Sequence, residues 1–173
     1  MQGGGTYRLK ACDVLFNEHR VVKGKLAQFE PALWPGSPPD AYARALGSLV
    51  RVLEAELPPH FAKEEEALFP VMEAVAGPAF PPVEIMKEEH RFLIGHFAGV
   101  QDAAAALAAA PGAAEARARA QGHLVPLVAT LQDHIVKEDD MLLVMASDQL
   151  EAAHDRKIMR VFDEIDREGR RWG

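Results

Sequence analysis

The feature that most constrains this chain is a His-x-x-x-Glu pattern that occurs twice. The first copy, HFAKE, spans residues 60–64 and the second, HIVKE, spans residues 134–138. Residues four apart lie on the same face of a helix, so the imidazole and the carboxylate of each copy project together. A further histidine precedes each copy, His19 before the first and His90 before the second, and both lie in the tripeptide Glu-His-Arg. The chain therefore divides into two similar halves.

Apolar residues spaced three and four apart predict an all-α protein. The chain is 49% hydrophobic but only 7% aromatic, a composition that favours helices over sheets. We expect long helices at about residues 7–29, 40–75, 83–110 and 113–146 and a shorter one at about 148–167, with short links rich in proline and glycine. This order predicts an up-down-up-down four-helix bundle with an additional C-terminal helix.

The same pattern predicts three parts of unequal size. The Gly-rich residues 1–6 are expected to be flexible, residues 7–146 to form the bundle, and residues 147–173 to form a helix that packs on it. Within the second helix, the Pro58–Pro59 pair predicts a kink or a break just before the first His-x-x-x-Glu copy. Asp40 is the predicted N-cap of that helix, because a carboxylate there can accept a hydrogen bond from the first turn.

Charge and cysteine content narrow the class of protein. A net charge of −7 with no concentrated basic stripe argues against a nucleic-acid partner. The single cysteine, Cys12, cannot form an intramolecular disulfide, which favours a reducing cytoplasmic setting. The N-terminus lacks the layout of a signal peptide, and the apolar stretches are shorter than a membrane span. We therefore expect a cytoplasmic protein without a membrane partner; the sequence does not indicate its oligomeric state.

Polar residues at interior positions are the strongest functional signal. Helical periodicity assigns six of them to the faces that are otherwise apolar: His19, His60, Glu64, His90, His134 and Glu138. A buried carboxylate costs several kcal/mol unless it is compensated. One such residue alone would be a hydrogen-bonded core histidine or a solvated glutamate. Six residues in matching motifs are better explained by a metal centre, since imidazole suits iron, zinc and copper and inward carboxylates can bridge two cations.

The internal repeat suggests how the six residues divide between two cations. By near two-fold symmetry, one cation takes His19 and His60 and the other takes the corresponding histidines of the second half. Glu64 and Glu138 would bridge the two. This pairing is a hypothesis from the repeat alone.

This set of motifs resembles the hemerythrin-like (HHE cation-binding) domains. That family has a lone His on the first helix, His-x-x-x-Glu on the second, a His on the third and His-x-x-x-Glu on the fourth, and the segment HFAKEEEALFP at residues 60–70 is similar to its second-helix signature. The resemblance covers about residues 10–146. It implies a four-helix bundle that holds a non-haem di-iron centre, as in the family's oxygen carriers, sensors and iron- or nitric-oxide-responsive proteins.

The chain departs from the invertebrate oxygen carriers at two positions. Their second third-helix histidine corresponds to Ile94, so one iron would lose a nitrogen ligand and the site would be more open. Their fourth-helix carboxylate corresponds to Asp139, which leaves Asp139 as a competitor of Glu138 for the ligand role. Both departures weaken the case for reversible oxygen transport.

Several functions remain open at this stage. The first is a di-iron protein that binds dioxygen, nitric oxide or a related small ligand in sensing, storage or stress response. The second is a di-iron redox enzyme that turns over peroxide or nitric oxide, or donates iron for iron–sulfur repair. The third is a structural bundle with a single zinc or other metal, because zinc also binds imidazole and carboxylate. A ferritin-like site is disfavoured, since no acid lies three residues before any of the four histidines.

The other histidines and the cysteine are expected to play no part in the metal centre. His123 lies about 16 Å along the helix from His134, at about 1.5 Å per residue, and is predicted to be a core or bundle-end residue. His96 and His154 are predicted to be surface residues. Cys12 is predicted to be a buried, inert thiol.

Overall fold

The computed structural model describes residues 7–169, and within that range the chain is helical with no strand. Residues 1–6, the predicted flexible lead-in, and residues 170–173 lie outside the described part. The all-α prediction is confirmed for the described residues.

Five helices make up the described chain, and two of them contain a π-helical turn. The segments are α1 Lys10–Phe29; α2 Pro39–Lys63, the first π turn Glu64–Leu68 and α3 Phe69–Ala76; α4 Pro81–Ala109; α5 Ala114–Lys137, the second π turn Glu138–Leu142 and α6 Leu143–Gln149; and α7 Ala152–Glu168. In each π turn an amide donates to a carbonyl five residues earlier, Phe69 to Glu64 and Leu143 to Glu138. π turns are rare and cluster at functional sites, and here each begins at the glutamate of a His-x-x-x-Glu copy.

Side-chain contacts show how the helices lie against one another. Glu18 and Lys25 of α1 pair with Lys63 and Glu56 of α2 in reverse order along the chain, so these two helices are antiparallel. The contacts of α4 with α5 also run in reverse order: Glu89 contacts Lys137, His90 contacts His134 and His96 contacts His123. These two helices are therefore antiparallel as well. The helix α7 packs on α1, α2 and the first π turn.

The buried residues form two hydrophobic clusters with a polar layer between them. One cluster comprises residues from Val22 to Phe61 and from Leu93 to Ile135; the other comprises residues from Leu9 to Leu15, from Ala67 to Met86 and from Leu142 to Phe162. Along α1 the polar residue His19 falls between Leu15 of one cluster and Val22 of the other. The same change of cluster occurs at the corresponding place on each long helix, so the polar layer crosses the whole interior.

Two local predictions differ from the structure. The helix α2 continues through the Pro58–Pro59 pair, so no break precedes the first motif. Pro58 and its neighbours Leu57 and Phe61 are buried, and this packing offsets the backbone hydrogen bonds that the prolines cannot make. Asp40 is not the N-cap: Pro38 holds that position in an extended conformation and Pro39 is the first helical residue, where its missing N–H costs nothing.

The helix α4 contains a long apolar stretch. By length and composition alone it could cross a membrane, with a mean hydropathy of 1.3. Its buried face packs against α2 and α5.

A close approach of α4 and α5 depends on Gly99. The imidazole of His123 lies so near that a Cβ at Gly99 would stand 2.5 Å from its ring atoms. His123 in turn faces His96, with the two Nδ1 atoms 3.3 Å apart, and both rings are half-buried. His123 is therefore packed between α4 and α5 rather than in the core. His96 is partly buried by its contact with His123 and is not a fully exposed surface residue.

We expect Gly99→Ala to destabilise the protein by about 1–3 kcal/mol, the range for an added methyl group that forces neighbours to shift. Gly95→Ala is the matched control, four residues earlier on α4, where a Cβ meets nothing within 4 Å. That control is expected to stabilise the protein by roughly 0.5–1 kcal/mol, because alanine loses less backbone entropy in a helix. Urea unfolding of the two variants measures both effects; equal midpoints would contradict this account of the α4–α5 contact.

Candidate metal centre

The structure brings together all six residues that the sequence places in the interior. The histidines come from four different helices, α1, α2, α4 and α5, and the two glutamates begin the two π turns. Each of the six side chains is at most 4% exposed. Two groups of potential ligand atoms result, in each of which the atoms lie within 4.8 Å of one another: His19, His60, Glu64 and Glu138 form the first, and Glu64, His90 and His134 form the second.

The first group has four ligand atoms at close range. The Nε2 atoms of His19 and His60 lie 3.0 Å apart. Glu138 Oε2 lies 3.0 Å from Nε2 of His19, and Glu64 Oε1 lies 3.1 Å from Nε2 of His60. Two nitrogens and two oxygens therefore face a common centre.

The second group is similar but has one ligand fewer within this range. The Nε2 atoms of His90 and His134 lie 3.2 Å apart, and Glu64 Oε2 lies 3.1 Å from that of His90. Glu138 approaches this group less closely, with Oε2 3.5 Å from Nε2 of His134. Glu64 thus turns one oxygen to each group, whereas Glu138 turns the same oxygen to both and lies nearer the first.

Each imidazole is held from behind by a second carboxylate. The Nδ1 atom of every histidine in the cluster lies within hydrogen-bond distance of an acidic side chain. The pairs are His19 with Asp139 at 2.6 Å, His60 with Glu18 at 2.8 Å, His90 with Glu65 at 2.6 Å, and His134 with Glu89 at 3.0 Å. A carboxylate behind a ligating histidine fixes the ring and keeps the proton on the outer nitrogen.

The sequence analysis did not assign Glu18 and Glu89 to the site. The signal that marks them is the repeated Glu-His-Arg, in which the glutamate precedes the α1 or α4 histidine but binds the histidine of the neighbouring helix. Glu65 follows Glu64 and reaches across to the other half in the same manner. These cross-helix contacts depend on how the helices pack, so helical periodicity alone does not indicate them.

The geometry distinguishes Glu138 from its competitor Asp139. Glu138 is fully buried and its Oε2 faces the inner nitrogens of His19 and His134. The side chain of Asp139 instead lies on the outer nitrogen of His19 and also binds Lys23 at 3.2 Å. Asp139 therefore orients His19, and Glu138 is the carboxylate that faces the inner nitrogens.

The inner polar atoms fit a cation. With Nδ1 donating outward, the inner Nε2 atoms carry lone pairs, and in each group two of them face one another within 3.2 Å. Among residues 7–169, the buried side-chain oxygens without a hydrogen-bond partner are the Tyr42 hydroxyl and all four carboxylate oxygens of Glu64 and Glu138. Buried carboxylates in that condition are costly unless they coordinate metal or pair with charge. Imidazole nitrogen with carboxylate oxygen is the donor set of iron and zinc sites.

When no metal is bound, protons on the imidazoles supply the positive charge beside the buried glutamates. Burial disfavours charge on His60, but the carboxylates of Glu64 and Glu18 outweigh it and raise its pKa well above the ordinary value. For His90, burial is likewise opposed by hydrogen bonds to Glu64 and Glu65, which raise its pKa to about 9. Burial alone would raise the pKa of Glu64, but the adjacent imidazoles hold it well below its usual range.

Ile94 and Cys12 lie outside the cluster of potential ligands. Ile94, the position at which the oxygen carriers have another histidine, is 39% exposed and supplies nothing to the cluster. Cys12 is fully buried in the apolar cluster that also contains Leu15 and Phe162, and burial raises the pKa of its thiol to about 12. Its thiol is therefore protonated and unreactive near neutral pH.

Comparison with known proteins places the chain in one family. The family model of the hemerythrin HHE cation-binding domain matches residues 11–146. Neither the curated proteins nor the solved structures compared with this chain give a match. The matched segment contains all six inward-facing residues and the four carboxylates behind them.

We expect Glu138→Gln to lower metal content more than Asp139→Asn does. Glu138 lies among the ligand atoms, whereas Asp139 orients His19 from outside, and loss of such an orienting partner typically costs about 10–100-fold in metal affinity. Metal titration of the two variants beside the wild-type protein measures the difference. A larger loss in Asp139→Asn would transfer the ligand role to Asp139.

We expect the metal-free protein to lose stability as the pH rises from about 6.5 to about 9. His19, His60 and His90 have raised pKa values in the folded state, so their protonation stabilises the fold fully below the unfolded value of about 6.5. That stabilisation disappears as the pH passes through the folded value.

The metal-loaded protein should behave in the opposite way, because a cation binds neutral imidazole and competes with the protons. Denaturant midpoints across this pH range, measured with chelator-treated and reloaded protein, test both signs. A metal-free midpoint that rises with pH would contradict the proton-for-metal account.

Proposed function

The chain belongs to the hemerythrin HHE cation-binding domain family, and we propose that it is a non-haem di-iron protein that binds dioxygen, nitric oxide or a related small ligand. Its role would lie in sensing, storage or stress response. The observation that carries this proposal is the shared use of Glu64, whose two oxygens face two separate pairs of histidines. A carboxylate in that position suits a bridge between two cations.

The proposed framework is an up-down-up-down four-helix bundle formed by α1 to α6, with α7 as the additional C-terminal helix packed on it. Reverse-order contacts between α1 and α2 and between α4 and α5 support this topology. Contacts of Gln101 with Glu54 and of Lys87 with Glu73 run in reverse order between α4 and the helix formed by α2 and α3. Consecutive helices in such a bundle project ligands toward one shared interior.

The two groups would have different roles in binding a small ligand. The first group has four protein ligand atoms within reach of one another and the second has three. Ile94 adds no nitrogen near the second group. The second cation is therefore the one with room for an external ligand. Bound iron would supply redox chemistry and that open position, while the protein holds the imidazoles in place and keeps the surroundings dry.

A single zinc ion is the second candidate, favoured by the composition of the first group. Two imidazole nitrogens and two carboxylate oxygens match the closed four-coordinate set of a structural zinc site. In that case the second group would hold protons rather than metal. Stoichiometry separates this candidate from the di-iron proposal.

We expect protein purified without oxygen to contain two irons per chain and to develop a charge-transfer absorption band on exposure to air. Azide should shift that band, because it would occupy the same open position. Metal analysis and optical spectra make these measurements. A chain that contains one zinc and shows no absorption change in air would contradict the di-iron proposal.

Turnover distinguishes ligand binding from redox catalysis. Loss of added peroxide or nitric oxide at a catalytic rate by the iron-loaded protein would favour the enzyme, and stoichiometric uptake would favour a binding role. His60→Ala is the control, because it removes an inner nitrogen and should abolish both signals. Transfer of iron to a cluster-free acceptor protein would instead favour iron donation.

A further inference from the structure

The two halves of the metal centre match one another beyond the imidazoles. His60 binds Glu18, whose second oxygen binds Lys63; His134 binds Glu89, whose second oxygen binds Lys137. Each lysine is the fourth residue of a His-x-x-x-Glu copy, so the repeat encodes the same chain of contacts twice.

The helix α7 breaks this symmetry at Lys63. Asp166 of α7 lies 2.7 Å from the Lys63 ammonium, and the ring of Phe162 lies 5.7 Å from it. Lys63 is consequently only 3% exposed. Lys137 is 42% exposed, and among residues 7–169 Glu89 is the acidic side chain within ion-pair distance of it.

Two carboxylates attach α7 at its opposite ends. Near its start, Asp155 accepts hydrogen bonds from the backbone amides of Lys10 and Ala11, which open α1. Near its end, Asp166 binds Lys63, and between them Ile158, Phe162 and Ile165 are buried. Since α1 carries His19 and α2 carries His60, the helix spans both elements that supply nitrogens to the first group.

A buried ammonium depends on both of its partners. Removal of Asp166 would leave the buried Lys63 with Glu18 as its remaining ion-pair partner among the described residues, and a buried charge that loses a partner is destabilised. Lys63 would then move toward solvent and release Glu18, which orients His60. The corresponding lysine of the second half is already in contact with solvent and has no such dependence.

We propose that Asp166 and Lys63 are positioning residues for His60, through which α7 holds the first cation position more rigidly than the second. A cation therefore leaves the His90–His134 group first and the His19–His60 group later. By reciprocity, a cation in the first group also strengthens the docking of α7. The inference rests on the proposed metal centre but not on the identity of the metal or of its small ligand.

Zinc release to a coloured chelator tests the proposal on the full chain loaded with zinc alone. The wild-type protein should release metal in a fast and a slow phase. Asp166→Asn should speed the slow phase by about tenfold, the lower end of the effect of losing an outer partner of a ligand, and leave the fast phase unchanged. Asp166→Glu should restore the slow phase, because it retains the carboxylate.

Two matched controls separate positioning from general destabilisation. Asp163→Asn removes an exposed charge from the same helix and should leave both phases unchanged. Lys137→Gln alters the corresponding contact of the second half and should speed the fast phase only. Because Asp166 is 57% exposed, its replacement by asparagine should not prevent folding; Lys63→Met provides a second variant with the same expected result.

An NMR measurement reports on His60 directly. Hydrogen exchange of its Nδ1–H should quicken in Asp166→Asn, while that of His134 stays unchanged. Equal acceleration of both release phases, or unchanged exchange at His60, would overturn the proposal. If the wild-type chain binds one zinc in the first group, the di-iron function fails, but faster release and exchange in Asp166→Asn would still support the role of α7.

Discussion

The structure depends on a solution to one electrostatic problem, which is that two carboxylates and four imidazoles occupy the interior between two apolar clusters. A carboxylate moved from water into such a place loses solvation worth several kcal/mol even after relaxation. With neutral imidazoles whose Nδ1 atoms carry the protons, Glu64 and Glu138 have no hydrogen-bond donor at their oxygens. Positive charge must therefore be close, either as protons on the imidazoles or as bound cations. The outer acids, the lysines behind them and the two π turns all serve to place that charge.

The π turns explain how one glutamate can face inward while the next residue binds a different helix. Each turn begins at the inner glutamate. Because its hydrogen bonds join residues five apart rather than four, the side chains of the turn are shifted from the positions that a regular α-helix would give them. Glu64 thus faces the cluster, and Glu65 reaches the outer nitrogen of His90. In the second π turn the carbonyl of Asp139 accepts a hydrogen bond from the Tyr7 hydroxyl at 2.7 Å. The N-terminal segment thereby helps to satisfy a backbone group in an irregular part of the helix.

Helical periodicity was sufficient to predict the inner residues because spacing along one helix fixes which side chains share a face. His60 and Glu64 are four apart, and their convergence follows without knowledge of any other helix. The partner of Glu18 is not predictable in this way, since Glu18 passes over the adjacent His19 and binds His60 across the α1–α2 contact. The continuity of α2 was also missed. Proline removes a hydrogen bond locally, but the burial of Leu57 and Phe61 that offsets this loss is a property of the packed protein.

A repeated sequence does not require two equivalent sites. The inner shell is already unequal, because Glu138 lies 3.0 Å from the nitrogen of His19 but 3.5 Å from that of His134. The outer shell differs further at Lys63 and Lys137, and the cause is a helix that belongs to neither half of the repeat. Since a ligand nitrogen is only as well placed as the groups that orient it, we propose that α7 makes the first half firm and leaves the second accessible. The proposed open position at the second group and the proposed retention of a cation by the first group would both follow from this asymmetry.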